Sequence, residues 1–114
     1  MQIIKANEKA SNATPHGINV RKLIEYEHAS VVLIELKKGE GLKPHITPVD
    51  VFFYILEGKG EVSVGNEKAT VEKDDLIFSP KNIIHGLNNP SFEGSFKFLV
   101  VKTPAPTAPT KIVN

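Results

Sequence analysis

Apolar and polar residues alternate with a period of two along much of this chain. Val62 and Val64 stand between polar neighbours, and the same pattern returns after Gly65-Asn66. Such alternation is typical of strands with one face in a core and the other in water. Because Gly-Asn favours a tight turn between two strands, residues 60–72 are predicted to form a hairpin.

The rest of the chain carries the same strand signals. Short runs rich in Val, Ile and Phe recur between clusters of Gly, Asn, Asp and Pro. Their spacing of roughly 8–12 residues is typical of sandwiches and barrels. No stretch keeps a helical period over three turns. We therefore predict an all-β fold with strands over 18–26, 29–37, 49–57, 60–65, 67–72, 75–79, 83–88 and 95–102, and with 2–5 as a further candidate.

Two of these predicted strands are apolar on both faces, namely residues 51–56 and 98–101. One face of each is expected in the barrel core. The other face needs cover from a second sheet or a partner subunit, because a barrel of this size cannot bury both. The pattern therefore predicts a homodimer, with Ile3 and Ile4 as candidates to add a strand to the neighbouring sheet.

The composition changes after Lys102. The 114 residues suffice for one domain with a real core. The last stretch is rich in Pro and Thr, and proline lacks the backbone donor that a sheet needs. We predict a single barrel domain over 1–102 and a tail over 103–114 outside the barrel. The tail is either disordered or an arm on a neighbouring subunit, anchored by Ile112 and Val113.

Charge and composition exclude several classes of function. Lys plus Arg number 14 against 13 for Asp plus Glu, a formal net charge of +1, whereas nucleic-acid-binding domains are usually clearly basic. The absence of cysteine excludes disulfides, thiolate metal sites and a cysteine nucleophile. The longest apolar run, residues 51–56, is too short for a membrane helix. No basic start followed by an apolar stretch is visible, so the expected location is the cytoplasm.

Two turn-rich segments contain the histidines of greatest interest. In the first, Gly39 and His45 follow the pattern G(x)5H, and the segment ends in Tyr54-Ile-Leu-Glu-Gly-Lys-Gly60. The second segment contains in order Pro80, His85 and Asn89. Together these segments resemble the two motifs of the cupin superfamily. The resemblance implies a small single-domain cupin, whose fold is a double-stranded β-helix or jelly-roll barrel.

The resemblance also implies a metal site, which this chain fills only in part. The family pattern has three histidines and one glutamate. His45 and His85 match its first and last histidines, whereas Thr47 and Val51 stand at the other two positions. Since two imidazoles alone hold a divalent cation weakly, the resemblance implies a weakened site for one ion such as Zn, Mn, Fe or Ni.

A third donor is needed to complete such a site. Asp50 is a candidate if a bulge after Pro48 turns its side chain inward. Thr47 could add a weak hydroxyl donor or hold a water molecule. The alternative is that Asp50 caps a turn and that His45 and His85 are only hydrogen-bonded near the mouth of the barrel.

These expectations lead to three functional hypotheses. The first is a barrel that binds a small molecule inside, with at most a weakened metal site. The second is a metal-dependent enzyme of the dioxygenase or isomerase type that uses His45, His85 and a third donor such as Asp50. The third is a metal-free sugar isomerase or epimerase with His and Tyr as acid and base. The expected pocket walls are apolar, formed by Val51, Phe53, Ile55, Val62, Phe78, Ile83 and Phe98.

Overall fold

The structure is a computed structural model that describes residues 1–13, 17–90, 94–107 and 110–113. Over these ranges the chain forms eleven strands and one short 3-10 helix, Ala6–Glu8. The strands are β1 Asn12–Ala13, β2 Asn19–Glu25, β3 Ser30–Leu36, β4 His45–Ile46, β5 Asp50–Glu57, β6 Lys59–Val64, β7 Glu67–Glu72, β8 Leu76–Ser79, β9 Ile84–Asn88, β10 Phe96–Thr103 and β11 Lys111–Ile112.

Two antiparallel sheets enclose one apolar core. The first has the strand order β1-β2-β3-β10-β5-β8, and the second has the order β11-β4-β9-β6-β7. Some sequence neighbours pair within one sheet, such as β2 with β3 and β6 with β7, whereas others, such as β8 and β9, lie in different sheets, as in a jelly roll. This arrangement confirms the predicted double-stranded β-helix. No helix in the described part of the chain is long and apolar enough to cross a membrane.

The period of two in the sequence sets which side chains enter the core. Along β5, Val51, Phe53 and Ile55 are buried while the residues between them are only partly covered. Strand β10 repeats this pattern beside it, with Phe96 and Phe98 fully buried. Successive side chains of a strand point to opposite faces, so each strand contributes every second residue to the core.

The eight longer strands lie where the hydrophobic pattern predicts them, within two residues at each end. The candidate strand over 2–5 is not observed, since residues 1–5 have no regular structure and the 3-10 helix follows them. Three strands were not predicted: β1, β4 and β11. Each has only two residues, too few for a period to be visible.

The C-terminal segment differs from the expectation of a tail outside the barrel. Lys111 and Ile112 pair antiparallel with β4, and the Val113 N–H donates to the Pro44 carbonyl over 3.0 Å. The last described residues therefore extend the edge of the second sheet of their own chain. Ile112 keeps 58% of its surface exposed, so it does not anchor in the core. The boundary between a domain over 1–102 and a tail stays a prediction.

Candidate functional site

The structure brings His45 and His85 together across a pair of strands. His45 begins β4 and stands directly opposite His85 of β9 in the antiparallel register. Residues opposed in this way have neighbouring side chains on one face. Their Nε2 atoms are 3.1 Å apart, and their rings meet edge to face with centroids 4.5 Å apart. Two motifs distant in sequence thus form one imidazole pair.

Hydrogen bonds define the protonation of this pair. The His45 Nδ1–H donates to the Lys43 carbonyl over 2.7 Å, which leaves Nε2 of that ring as an acceptor. His85 Nε2–H can donate to it, while the Ser79 hydroxyl, 2.7 Å away, donates to His85 Nδ1. The network is therefore consistent with two neutral rings, with tautomers assigned from the bonding pattern. Thr47 Oγ1 lies 3.4 Å from His85 Nε2 and adds a weaker contact.

Burial keeps both rings neutral near pH 7. His85 has only 2% of its surface exposed. Burial, then the nearby His45 and then Lys102 lower the pKa of His85 to about 4. Burial likewise lowers the pKa of His45, against the opposing effect of its bond to the Lys43 carbonyl. Each neutral ring has one ring-nitrogen lone pair, and the network already engages both: His45 Nε2 accepts from His85, and His85 Nδ1 accepts from Ser79.

A cavity of about 250 Å³ opens beside the imidazole pair. This volume lies just below the roughly 300–1,000 Å³ typical of ligand pockets, so it suits a small molecule. Its walls are mainly aliphatic, and its polar members are two histidines and two lysines. The lining residues are Val20, Lys22, Val32, Ile34, Leu42, His45, Phe53, His85, Val100 and Lys102.

Only one of the predicted apolar pocket residues, Phe53, lines this cavity. Its ring packs edge to face on His85 with centroids 5.1 Å apart. Four others lie in the buried core, namely Val51, Ile55, Val62 and Phe98.

Phe78 and Ile83 were predicted as pocket walls, but they do not line this cavity and are exposed to 50% and 39%. On β8 the buried Ser79 points inward, so Phe78 points outward and packs on Phe52, with ring centroids 5.2 Å apart. Ile83 lies in the turn before β9. Phe78 and Val62 instead border a separate cavity of about 370 Å³.

Several cavity residues were missed by the sequence analysis, most importantly Lys102. A signal for it exists in the sequence, because Phe96, Phe98, Val100 and Lys102 are alternate residues of one strand and share its inner face. Ser79, which bonds His85, had no comparable signal, since a lone serine at the end of a short strand has many roles.

The donors present do not fit a tightly held metal ion. Asp50 Oδ1 accepts the Lys81 N–H over 2.9 Å, so its carboxylate caps the turn before β9. Among the described residues, no group of three or more His, Asp or Glu side chains could hold a metal. The pair therefore offers two imidazoles and the Thr47 hydroxyl, whereas zinc sites usually have at least three strong protein donors.

Asn89, the last residue of the second motif, has a structural role. Its Nδ2 donates to the carbonyls of Leu36 and Gly94 over 3.1 and 3.0 Å. Its backbone N–H donates to the Glu40 carbonyl, and its own carbonyl accepts the Gly39 N–H. Through its side chain and its backbone, this buried residue thus ties the loop after β3 to the loop before β10, and it does not line the cavity.

Comparisons with known proteins agree with this fold. An uncharacterized protein of Aquifex aeolicus (strain VF5) is 36% identical over 84 residues, which are 73% of this chain and 68% of that protein. The tetracenomycin polyketide synthase protein TcmJ of Streptomyces glaucescens is 32% identical over 77 residues, which are 67% of this chain and only 50% of that protein.

Among solved structures, the polyketide cyclase RemF from Streptomyces resistomycificus has a similar fold. It superposes with a TM-score of 0.84 at 20% identity, covering 100% of this chain and 86% of that one. The family model of the cupin domain matches residues 32–102. This range contains both histidines of the pair and eleven of the twelve residues of the buried core. The chain therefore belongs to the cupin-domain family.

Proposed function

We propose that this protein binds a small organic molecule in the cavity beside His45 and His85. The observation that carries the proposal is the position of that cavity, which opens onto both imidazoles and is otherwise mainly aliphatic. A site with apolar walls and a few convergent polar groups is the usual form of a small-molecule site. A donor on the bound molecule would compete with His85 Nε2–H for the lone pair on His45 Nε2.

Titration with benzamide, a neutral one-ring molecule, tests this function. We expect amide NMR shifts to change around Phe53 and Val100. Val32→Phe should abolish them, because Val32 lines the cavity and a larger ring would fill it. Val31→Phe is the matched control, since the adjacent residue of β3 faces the opposite side. Equal loss of binding in both variants, or shifts confined to the outer surface, would contradict the proposal.

A metal-dependent enzyme is the second candidate, and one observation favours it. The Nε2 atoms of His45 and His85 are 3.1 Å apart, a separation at which two imidazoles could ligate one ion. For that, His85 would turn its Nδ1–H toward the Ser79 hydroxyl, which can accept as well as donate. The missing third donor counts against it, and Asp50, engaged at Lys81, does not supply one.

We also propose that two copies associate through the outer face of the six-stranded sheet. Support comes from Phe52, Leu76 and Phe78, which form an outward apolar patch, the last two exposed to 64% and 50%. Sedimentation should give twice the chain mass at micromolar concentration. Phe78→Glu should shift it to the monomer, whereas Ile112→Glu, at an equally exposed position of the other sheet, should not. A monomeric wild type would refute this association.

A further inference from the structure

Lys102 occupies an unusual place for a lysine. Strand β10 directs Phe96, Phe98 and Val100 into the core, and Lys102 continues the same face two residues further on. Its side chain is half-buried and lines the cavity that holds His45 and His85. A charged group on the inner face of a barrel strand costs desolvation energy unless an opposite charge offsets it.

No carboxylate lies within ion-pair distance of Lys102 to offset its charge, among the residues that the structure describes. Lys97, on the same strand, lies 3.3 Å from a carboxylate oxygen of Glu57, and Lys22 lies 3.8 Å from Glu25. The residues lining the cavity include two lysines and no Asp or Glu. The cavity wall therefore carries positive charge, and none of the residues that line it carries a negative charge.

We propose that Lys102 is the anion-recognition group of this cavity and that the bound molecule carries a carboxylate. The inference rests on the proposed small-molecule function and names the class of its ligand. A carboxylate beside the ammonium group would supply the missing partner through a charge-assisted hydrogen bond. The remaining atoms of the acid would then lie along the apolar wall next to the imidazole pair.

The chemistry of the site favours a carboxylate over a phosphate. A phosphate group carries more charge and usually binds several donors, often arginine or helix N-termini. The cavity has no arginine, and the single arginine of the chain, Arg21, bonds the Ala6 carbonyl and lies outside it. The cavity has one half-buried ammonium group and a second lysine, Lys22, already near Glu25. One compact charge matches a singly charged carboxylate.

Benzoate and benzamide form a matched pair of probes, since they share one shape and differ in charge. In NMR titrations at pH 7.5, wild type should bind benzoate at least about tenfold more tightly than benzamide, as expected for a hydrogen bond to a charged group. Lys102→Met should remove this preference, so that the ratio of benzoate affinity to benzamide affinity falls to about one. Lys102→Arg should retain it. Lys97→Met, on the same strand, should behave as wild type.

The outcomes separate this inference from the proposed function. If benzamide binds in the cavity but benzoate binds no better, the inference about Lys102 fails and the binding function stands. If neither probe binds, both fail. If Lys102→Met still prefers benzoate, the carboxylate is bound by another group and the inference about Lys102 is wrong. Tighter binding of phenyl phosphate than of benzoate by wild type would overturn the carboxylate assignment.

Discussion

Acidification from pH 6.5 to pH 4 is expected to lower the free energy of unfolding by on the order of 3 kcal/mol through His85 alone. The cause is the lowering of its pKa from 6.5 to about 4, chiefly by burial and secondarily by His45 and Lys102. Between these two values the unfolded chain binds a proton at this ring and the folded chain does not. The stabilisation is thus complete above pH 6.5 and disappears as the pH falls through 4.

Urea unfolding at a series of pH values measures this dependence. His85→Gln should flatten the slope of stability against pH in this window, even though it also loses the bond to Ser79. His28→Gln is the matched control, because that ring is 88% exposed and its Nε2 lies 3.8 Å from a carboxylate oxygen of Glu27. Its slope should match wild type. An unchanged slope in His85→Gln would show that this imidazole is not the buried neutral group described here.

Zinc affinity is expected to rise on the order of 100-fold in the double variant Thr47→His, Val51→Glu, because loss of a mere supporting group at a metal site already costs about 10- to 100-fold. Both positions are suitably placed. Thr47 is buried with its hydroxyl 3.4 Å from His85 Nε2, and Val51 is a fully buried inner residue of β5. Two further donors would complete a four-ligand set around the existing imidazole pair.

Calorimetric titration of metal-stripped protein with zinc at pH 7.5 provides the measurement. Wild type should bind weakly, and His45→Ala in the double variant should remove most of the gain. Affinity should fall only as the pH approaches the lowered pKa values of the two rings, because imidazole must be neutral to ligate and the pKa of His85 is about 4. Tight zinc binding by wild type that depends on His45 and His85 would instead favour the metal-dependent enzyme. Tight binding that ignores both histidines would place the metal elsewhere.

These two predictions concern one pair of rings in two states. As neutral groups within a hydrogen-bond chain from Ser79 to the Lys43 carbonyl, the histidines stabilise the barrel fully above the pKa of a free imidazole, and this stabilisation is lost as the pH falls to their lowered pKa values. The same neutrality keeps one lone pair on each ring, which a ligand reaches by displacing the hydrogen bond that the lone pair now accepts. The site can therefore bind a small molecule at neutral pH without a metal. A tightly bound metal would require additional ligating side chains, whereas the two imidazoles are already close together.

Much of the fold could be predicted from local patterns. Eight strands show a period of two or a continuous apolar run, and both are properties of neighbouring residues that need no tertiary information. The segments around His45 and His85 likewise pointed to one site, through their resemblance to the two cupin motifs. The same reasoning found Phe53, whose place on the inner face follows from alternation along β5.

Other features depend on contacts that local patterns do not encode. Three consecutive residues of β8 are apolar, namely Leu76, Ile77 and Phe78. Because they do not alternate with polar residues, the sequence does not show which of them face the core, and the outward orientation of Phe78 could not be predicted. Asp50 is held by the Lys81 amide, which lies far away in sequence.

What the sequence by itself determined is therefore the all-β class, the longer strands and the two histidines, because period and motif spacing are local. Only the tertiary structure decided which residues join those histidines. Ser79 reaches His85 through the pairing of β5 with β8, and Lys102 reaches the cavity because β10 ends at the mouth of the barrel. The position of strand β11 is also decided by the tertiary structure. Two residues are too few to show a period in the sequence, and the strand is defined only by its pairing with β4. Contacts of this kind depend on how strands distant in sequence pair and close into a barrel, and that arrangement is a property of the whole chain.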